Sequence, residues 1–156
     1  MALGELLREF TAAVETGNGA RLAAVFTPDG IYHDTFYGEF QGTAAIKAML
    51  EDYFWRDAED FKWDMLDPVD DGRHGYARWL FSYRSKMKEA PGKRVVFEGI
   101  GHFNLRDGRI HHYGEVFDIG IAISQLDFAP ERVAKIVARA GERLRARVKG
   151  SRHLPT

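Results

Sequence analysis

The period of the hydrophobic pattern changes near residue 60, and this change constrains the fold more than any other feature. Beyond it, apolar and polar residues alternate at β-strand spacing, and we expect strands at 61–69, 75–88, 94–105 and 109–119. The turns between them are short and rich in Asp, Gly and Pro, as at 106–108. Because such short connections join antiparallel neighbours, this half of the chain predicts a largely antiparallel sheet.

The first 60 residues predict helices around one further strand. Apolar residues recur at helical spacing over 3–16, and a second short helix is expected at 20–26, followed by a turn at 27–30. A strand at 30–42 precedes a third helix at 44–56, for which Thr43 is the expected N-cap. A terminal helix begins at Pro130 and keeps helical spacing as far as Val148.

This order of elements predicts an α+β fold. Helices would pack against one face of a strongly curved antiparallel sheet, forming a cone whose mouth can hold a ligand. We assign the cone to residues 1–128 and a basic C-terminal helical extension to residues 129–156.

Composition narrows the class of protein. The 156 residues suit one domain, and 45% of them are hydrophobic, which is enough to fill a core. The chain has no cysteine, which excludes disulfides and thiolate chemistry and agrees with a cytoplasmic location. The N-terminal segment carries early charges and no long apolar run, so we expect neither a signal peptide nor a membrane span.

Charge is distributed unevenly along the chain. Residues 131–152 contain eight Lys or Arg and two Glu, although the net charge of the whole chain is −1. We interpret this basic segment as a solvated helix face. The alternative is a surface for an acidic partner or nucleic acid, but the segment lacks interleaved aromatics and any nucleic-acid motif, so no nucleic-acid partner is expected.

The strand predicted at 30–42, with the sequence GIYHDTFYGEFQG, holds a carboxylate among aromatic rings. Alternation places Tyr32, Asp34 and Phe36 on the same face of this strand. A solvated face would not explain the aromatics, and a dry core would not explain the acid. A pocket lined by aromatic rings around one working carboxylate explains both. The alternative is a structural role in which Asp34 caps a turn.

Three segments resemble the nuclear transport factor 2-like superfamily, namely FTAAVETGNGARLAAVF, GIYHDTFYGEFQGTAAI and VVFEGIGHFNLRDGRI. This superfamily includes ketosteroid isomerases, SnoaL-like polyketide cyclases, scytalone dehydratases and limonene epoxide hydrolases. The resemblance covers about residues 3–120 and implies the cone fold, with a homodimer formed through the outer sheet face. The fold hosts many chemistries and also non-catalytic members, so function must be compared residue by residue.

The resemblance to ketosteroid isomerases places Asp34 at the position of their proton-shuttling carboxylate. Those enzymes also use two acids that donate hydrogen bonds to the enolate. The matching positions here are Phe10 and Gly101, whose side chains have no proton to donate. The comparison therefore argues against ordinary steroid isomerisation.

The other resemblances bring in further residues. In the limonene epoxide hydrolase comparison, Tyr32, Arg78 and Glu115 keep the residue types of that family's site, whereas Leu80 replaces its central Asp. In the cyclases the acid comes from a late strand, and the ending EVFDIG resembles theirs, so both Glu115 and Asp118 are candidates. Alternation places these two side chains on opposite faces of the predicted strand.

We therefore expect an enzyme without a cofactor that applies general acid/base chemistry to a small, apolar, oxygenated molecule. Its catalytic candidates are Asp34 as base, Glu115 or Tyr32 as proton donor, and Arg78 beside one carboxylate. Its pocket candidates are Phe10, Phe36, Phe103, Tyr113 and Phe117. Two alternatives stay open, a non-catalytic binding module and a protein-interaction module, and Glu115 with Arg78 could instead form a structural ion pair.

Two further expectations depend on strand alternation. If Arg78 points inward, the rings of Trp79, Phe81 and Tyr83 lie on the outer face and would supply the dimer interface. No metal site is expected, because the histidines lack zinc-ligand spacing and His111 is the one inward candidate.

Overall fold

The computed structural model describes residues 2–156. The helices are α1 (Leu3–Thr16), α2 (Gly19–Ala24), α3 (Thr43–Ala48), α4 (Trp55–Asp57), α5 (Ile119–Ser124) and α6 (Pro130–Val148). A π-helical segment, Met49–Phe54, joins α3 to α4. The strands are β1 (Phe26–Asp34), β2 (Gly38–Gln41), β3 (Ala58–Asp70), β4 (His74–Ser85), β5 (Arg94–Arg106) and β6 (Arg109–Phe117).

The strands form one sheet in the order β2-β1-β6-β5-β4-β3. All neighbouring strands are antiparallel except β1 and β6, which are parallel. The predicted antiparallel run from β3 to β6 is confirmed, because its turns are too short for any other connection. The α+β fold is likewise confirmed, with helices packed on a curved, unclosed sheet in the shape of a cone.

Two bulges bend β3 and curl the sheet. At Asp60 and Asp67 the backbone φ angles are +51° and +50°, and the pairing with β4 shifts register at both places. Arg94 braces the first bulge by donating to the carbonyl oxygen and Oδ2 of Asp60 at 2.8 and 2.9 Å. Arg78 braces the second by donating to Oδ2 of Asp67 at 3.0 and 2.8 Å. Each extra residue increases the local twist, which increases the curvature of the sheet.

The prediction that Arg78 points into the cone was wrong. Its side chain is 61% exposed on the outer face. Trp79 and Phe81 are 2% and 8% exposed and point inward, so the predicted outer aromatic surface on β4 was wrong as well. Strand β4 carries apolar residues on both faces, and the large rings bury more apolar area than Leu80 would.

Aromatic rings fill the narrow end of the cone. Phe10 of α1 is fully buried and stacks on Tyr32, with ring centroids 5.8 Å apart. Phe103 and Tyr113 meet the same Phe10 ring edge-on at 6.3 and 5.2 Å. These contacts form a dry floor beneath the wider part of the cone.

The strand predicted at 30–42 is a hairpin. Strand β1 ends at Asp34, a turn covers 35–37, and β2 returns antiparallel. Gly38 has φ +91°, the left-handed region that such a turn requires and that glycine adopts without strain. Phe36 therefore lies in the turn and does not share a strand face with Asp34. The predicted turn at 27–30 lies inside β1, where the pairing with β6 shifts between Phe26 and Ile31.

The third predicted helix is present, but its winding changes halfway. The π-helical segment has a wider turn than an α-helix, which moves the buried face by one residue. Phe54 is thus buried at 8% exposure, whereas Tyr53, which a regular α-helix would place on the same face as the buried Met49, is 37% exposed. This shift brings the ring of Phe54 to the wide end of the cone.

The chain after β6 adds two helices, and Ala122 and Leu126 of this segment belong to the hydrophobic core. Helix α5 was not predicted, and Gln125 at its end binds both backbone groups of Val96 at 3.0 and 2.8 Å, where β6 no longer pairs with β5. Helix α6 begins at Pro130 as predicted and has no buried residue. The division of the chain near residue 129 stays a prediction. Within residues 2–156, no helix has both the length and the apolar character that a membrane span needs.

Candidate active site

A cavity opens at the wide end of the cone, bounded by the β1–β2 turn, the π-helical segment and the inner sheet face. The cavity has a volume of about 90 Å³ and opens to solvent. The lining residues are Tyr32, Asp34, Phe36, Tyr37, Phe54, Asp57, Ala58, Phe61, Trp63, Trp79, Phe81, Tyr83, Met87, Phe97, Glu115 and Phe117. Because rings make most of this wall, the cavity suits an apolar small molecule.

Five of the nine residues predicted for the site line this cavity: Tyr32, Asp34, Phe36, Glu115 and Phe117. Phe36 and Phe117 contact each other at 5.6 Å between ring centroids. Four predicted residues lie elsewhere. Three belong to the dry floor, Phe10, Phe103 and Tyr113, and Arg78 lies on the outer face.

Asp34 lies at the end of β1 and is 6% exposed. Its Oδ2 accepts hydrogen bonds from the backbone N–H groups of Phe36 and Tyr37 at 2.9 and 2.8 Å. Asp34 therefore caps the hairpin turn and also lines the cavity, so the two roles considered for it coexist. Burial raises the pKa of Asp34 to about 6, and the two backbone donors act against this rise.

Glu115 projects from β6 into the same cavity. Its Oε2 accepts from the hydroxyl of Tyr113 at 2.6 Å, and its Oε1 accepts from the hydroxyl and N–H of Thr35 at 3.2 and 3.4 Å. Burial, followed by the charge of Asp34, raises the pKa of Glu115 to about 8. The other late-strand candidate, Asp118, lies outside the cavity and accepts from the N–H of Ile121 at 3.2 Å, as the N-cap of α5.

Asp34 and Glu115 form an acid pair on the cavity wall, and the higher pKa belongs to Glu115. Because a charge on Asp34 disfavours a charge on Glu115, the pair loses its protons in two separate steps. Between these steps Asp34 carries the charge and Glu115 keeps the proton. Near neutral pH, one wall of the cavity thus offers both a base and an acid.

A second polar pair lies at the cavity wall and was missed from the sequence. The hydroxyl of Tyr37 donates to Oδ2 of Asp57 at 2.6 Å. Arg56 binds the same carboxylate at 2.8 Å and, through this hydrogen bond, lowers the pKa of Asp57. In the sequence, residues 57–60 look like a polar turn. Tyr37 lies twenty residues earlier, in the hairpin turn, so no local pattern indicates that it pairs with Asp57.

The aromatic wall itself was also missed, because it comes from the inward faces of β3 and β4. Trp63 and Phe81 meet edge-on at 4.9 Å, and Trp79 contacts Phe117 at 5.6 Å. Burial raises the pKa of Tyr83 to about 12, so its hydroxyl stays neutral. If the sequence analysis had placed Trp79 and Phe81 on the inner face of β4, it would have predicted this wall.

Packed aromatic rings surround the two positions, Phe10 and Gly101, that match the enolate donors of ketosteroid isomerases. A side chain at Gly101 would begin 3.1 Å from ring carbons of Phe103 and Tyr113, so these rings occupy the space of a donor. Phe10 is enclosed by the same rings and has no exposed surface. His111, the inward metal candidate, lies 3.1 Å from the hydroxyl of Thr27 and does not line the cavity.

Solved structures share this architecture. TsrD from Streptomyces laurentii is 23% identical, with a TM-score of 0.67 over 80% of this chain and 93% of that one. A Catenulispora acidiphila protein of ketosteroid isomerase-like fold, solved with trimethylamine, is 18% identical, with a TM-score of 0.71 over 83% and 100%. An LEH-like epoxide hydrolase from M. tuberculosis is 17% identical, with a TM-score of 0.63 over 86% and 93%. At such identities the likeness concerns the fold.

Comparison of the sequence with models of protein families assigns the chain to a family. No curated protein matches the chain. The model of the SnoaL-like domain matches residues 7–113, which reach from α1 into β6, include Asp34 and end just before Glu115. Because this match covers more than half of the chain, the protein belongs to the SnoaL-like domain family.

Proposed function

We propose that the protein is a general acid/base enzyme that acts on a small, apolar, oxygenated molecule held in the cavity. The observation that carries this proposal is that Asp34 and Glu115 both line the cavity, and we assign Asp34 as the base and Glu115 as the acid. The aromatic lining supplies the binding surface and keeps the pair away from bulk water.

The proposed proton transfers balance within the site. Asp34 takes a proton from a substrate carbon while Glu115 gives its proton to a substrate oxygen. Asp34 then gives its proton to another substrate carbon, and the substrate oxygen returns its proton to Glu115. These two transfers complete an isomerisation. In a dehydration, Glu115 instead protonates a β-hydroxyl oxygen, which leaves as water. In an aldol-type cyclisation the carbanion attacks a second carbonyl, whose oxygen takes the proton of Glu115, and in epoxide opening Asp34 takes a proton from an attacking water while Glu115 protonates the ring oxygen. In these three reactions, exchange with solvent then removes the proton from Asp34 and returns one to Glu115.

Tyr32 is proposed as a further donor to the substrate oxygen. It lines the cavity and is 1% exposed. Burial raises the pKa of Tyr32 well above its ordinary value, so the hydroxyl keeps its proton. This hydroxyl would partly replace the donors missing at Phe10 and Gly101.

A proton-exchange experiment tests the proposal even though the natural substrate is not identified. Cyclic ketones and hydroxyketones that bind the protein are incubated with it in D₂O, and deuterium uptake next to the carbonyl is followed by NMR. We expect uptake in at least one bound compound, and none with the variant Asp34→Asn. If every bound compound is recovered unlabelled and unconverted, the acid/base function is wrong.

That negative outcome would favour a second candidate function, a binding module that holds its ligand unchanged. The supporting observation is that both enolate-donor positions are filled by the dry aromatic floor. In addition, one oxygen of Asp34 is already engaged by the hairpin turn.

We also propose that the protein forms a homodimer through the outer sheet face. The exposed apolar residues of that face include Leu66, Leu80, Val96, Ile100 and Val116. Val116 and Ile100 are paired across β5 and β6, at 78% and 49% exposure, so they form a continuous patch that a partner would cover.

An arginine in this patch is expected to separate the dimer. In the variant Ile100→Arg, association would bury an unpaired charge, and we expect dimerisation to weaken by more than about tenfold. Sedimentation velocity measures this over a concentration series. The matched control is Val137→Arg on α6, which is also an exposed apolar position but lies away from the patch. Equal behaviour of both variants would exclude this interface.

A further inference from the structure

Three potential metal ligands meet on the outer face of the sheet, opposite the cavity. His33 lies on β1, Glu39 on β2 and His112 on β6. They are far apart in the sequence, but the strand order places β2, β1 and β6 side by side. His33 and His112 neighbour Asp34 and Tyr113 along their strands, and alternation directs them to the other face. Sequence spacing therefore gave no sign of this cluster.

The geometry of the cluster suits a small cation. One ligand atom from each of the three residues lies within 4.8 Å of the other two. Nδ1 of His33 is 3.4 Å from Oε1 of Glu39. In a tetrahedral site with bonds of about 2.0–2.1 Å, ligand atoms are roughly 3.4 Å apart, so this pair already has the spacing. The third ligand needs a side-chain movement of only about 1.4 Å.

A second observation concerns Nδ1 of His112. Its Nδ1 is buried and, within residues 2–156, has no hydrogen-bond partner. Within the same residues, Oδ1 of Asn104 is also buried without a hydrogen-bond partner. Asn104 lies directly opposite His112 in the register of β5 and β6. A histidine that binds a metal through Nε2 carries its proton on Nδ1 and usually donates it to an acceptor. Asn104 is the neighbouring unpaired acceptor, which a side-chain movement would bring to this nitrogen.

We propose that His33, Glu39 and His112 bind one divalent transition-metal ion, with Asn104 as the hydrogen-bond acceptor that orients His112. Two imidazoles and one carboxylate form a ligand set that zinc and cobalt accept, and the remaining position would hold water. The ion would tie the hairpin strand β2 to β1 and β6. The competing explanation is a simple cross-strand ion pair between His33 and Glu39.

Zinc and cobalt titrations of the full-length, metal-free protein test this site. Calorimetry is expected to give one zinc ion per chain, and cobalt is expected to give the intense visible bands of a tetrahedral complex. The variants His33→Asn and His112→Asn should each weaken zinc binding by at least about tenfold, and Asn104→Ala by about tenfold. Melting temperatures without metal establish that these variants are folded.

Two controls distinguish this site from others. His74→Asn changes another histidine near the outer face, which is ion-paired with Asp71, and should bind zinc as the wild type does. Asp34→Asn should also leave zinc binding unchanged, so failure of the catalytic proposal would not affect this one. The metal proposal is overturned if His33→Asn and His112→Asn bind as tightly as His74→Asn, or if about 1 mM zinc gives no binding at all.

Discussion

The substitution Asp34→Asn is expected to lower turnover by about 10²–10⁴-fold, the usual contribution of a positioned base. Asparagine has the shape of aspartate but cannot take the proton. Its side-chain oxygen can still accept the N–H groups of Phe36 and Tyr37, so the hairpin turn should survive. Steady-state kinetics and a thermal melt of the same sample separate lost chemistry from lost fold.

The control for this loss is Asp118→Asn. Asp118 caps α5 outside the cavity, and asparagine is an equally good N-cap, so activity and stability should stay near those of the wild type. Asp34→Ala should differ from both variants, because it leaves the two backbone donors unpaired and costs roughly 1–3 kcal/mol of stability. An Asp34→Asn variant with wild-type turnover would exclude Asp34 as the base.

The substitution Glu115→Gln is expected to stabilise the protein at pH 8 relative to the wild type. Folding raises the pKa of Glu115 from 4.5 to about 8, so the folded chain keeps a proton that the unfolded chain loses. Wild-type stability from this group is therefore full below pH 4.5 and falls as pH rises towards 8. One pKa unit corresponds to about 1.4 kcal/mol, so the loss across this window amounts to several kcal/mol.

Glutamine does not titrate, so the variant should lack this decline. Urea unfolding at pH 5 and pH 8 measures the difference, which should be small at pH 5 and large at pH 8. Glu131→Gln on α6 removes the same charge from an exposed position and should keep the wild-type slope. A Glu115→Gln variant whose stability follows the wild-type pH dependence would show that Glu115 is not held protonated.

The same variant has an expected effect on catalysis. Activity needs Asp34 charged and Glu115 protonated, so the wild-type pH–rate profile should be bell-shaped between apparent pKa values of about 6 and about 8. In Glu115→Gln the decline at high pH should disappear, together with most of the rate.

The sequence predicts elements better than side-chain directions. Strand spacing and short turns are local properties, and they predict the antiparallel run from β3 to β6 and the start of α6 correctly. The cavity positions of Asp34 and Glu115 also follow from alternation and resemblance. Arg78 was misplaced because β4 is apolar on both faces, and packing alone decides which face is buried.

Other features depend on contacts that no local pattern reveals. The hairpin at Asp34 interrupts what looks like one continuous strand. The π-helical segment buries the side chain of Phe54 and leaves that of Tyr53 exposed. The pairing of Tyr37 with Asp57 joins a turn to a helix end, and the histidine cluster joins three strands. Each of these arises when distant parts of the chain meet.

The proposed acid/base function depends on Asp34 and Glu115 titrating as an interacting acid pair on the cavity wall. NMR titration of the ¹³C-labelled side-chain carboxyl groups measures this directly, with Asp34→Asn and Glu115→Gln to assign the signals. We predict two steps, near pH 6 and near pH 8, with the upper step lost in Glu115→Gln. Two carboxyl groups that both titrate near their ordinary values of about 3.9 and 4.3 would contradict this pairing.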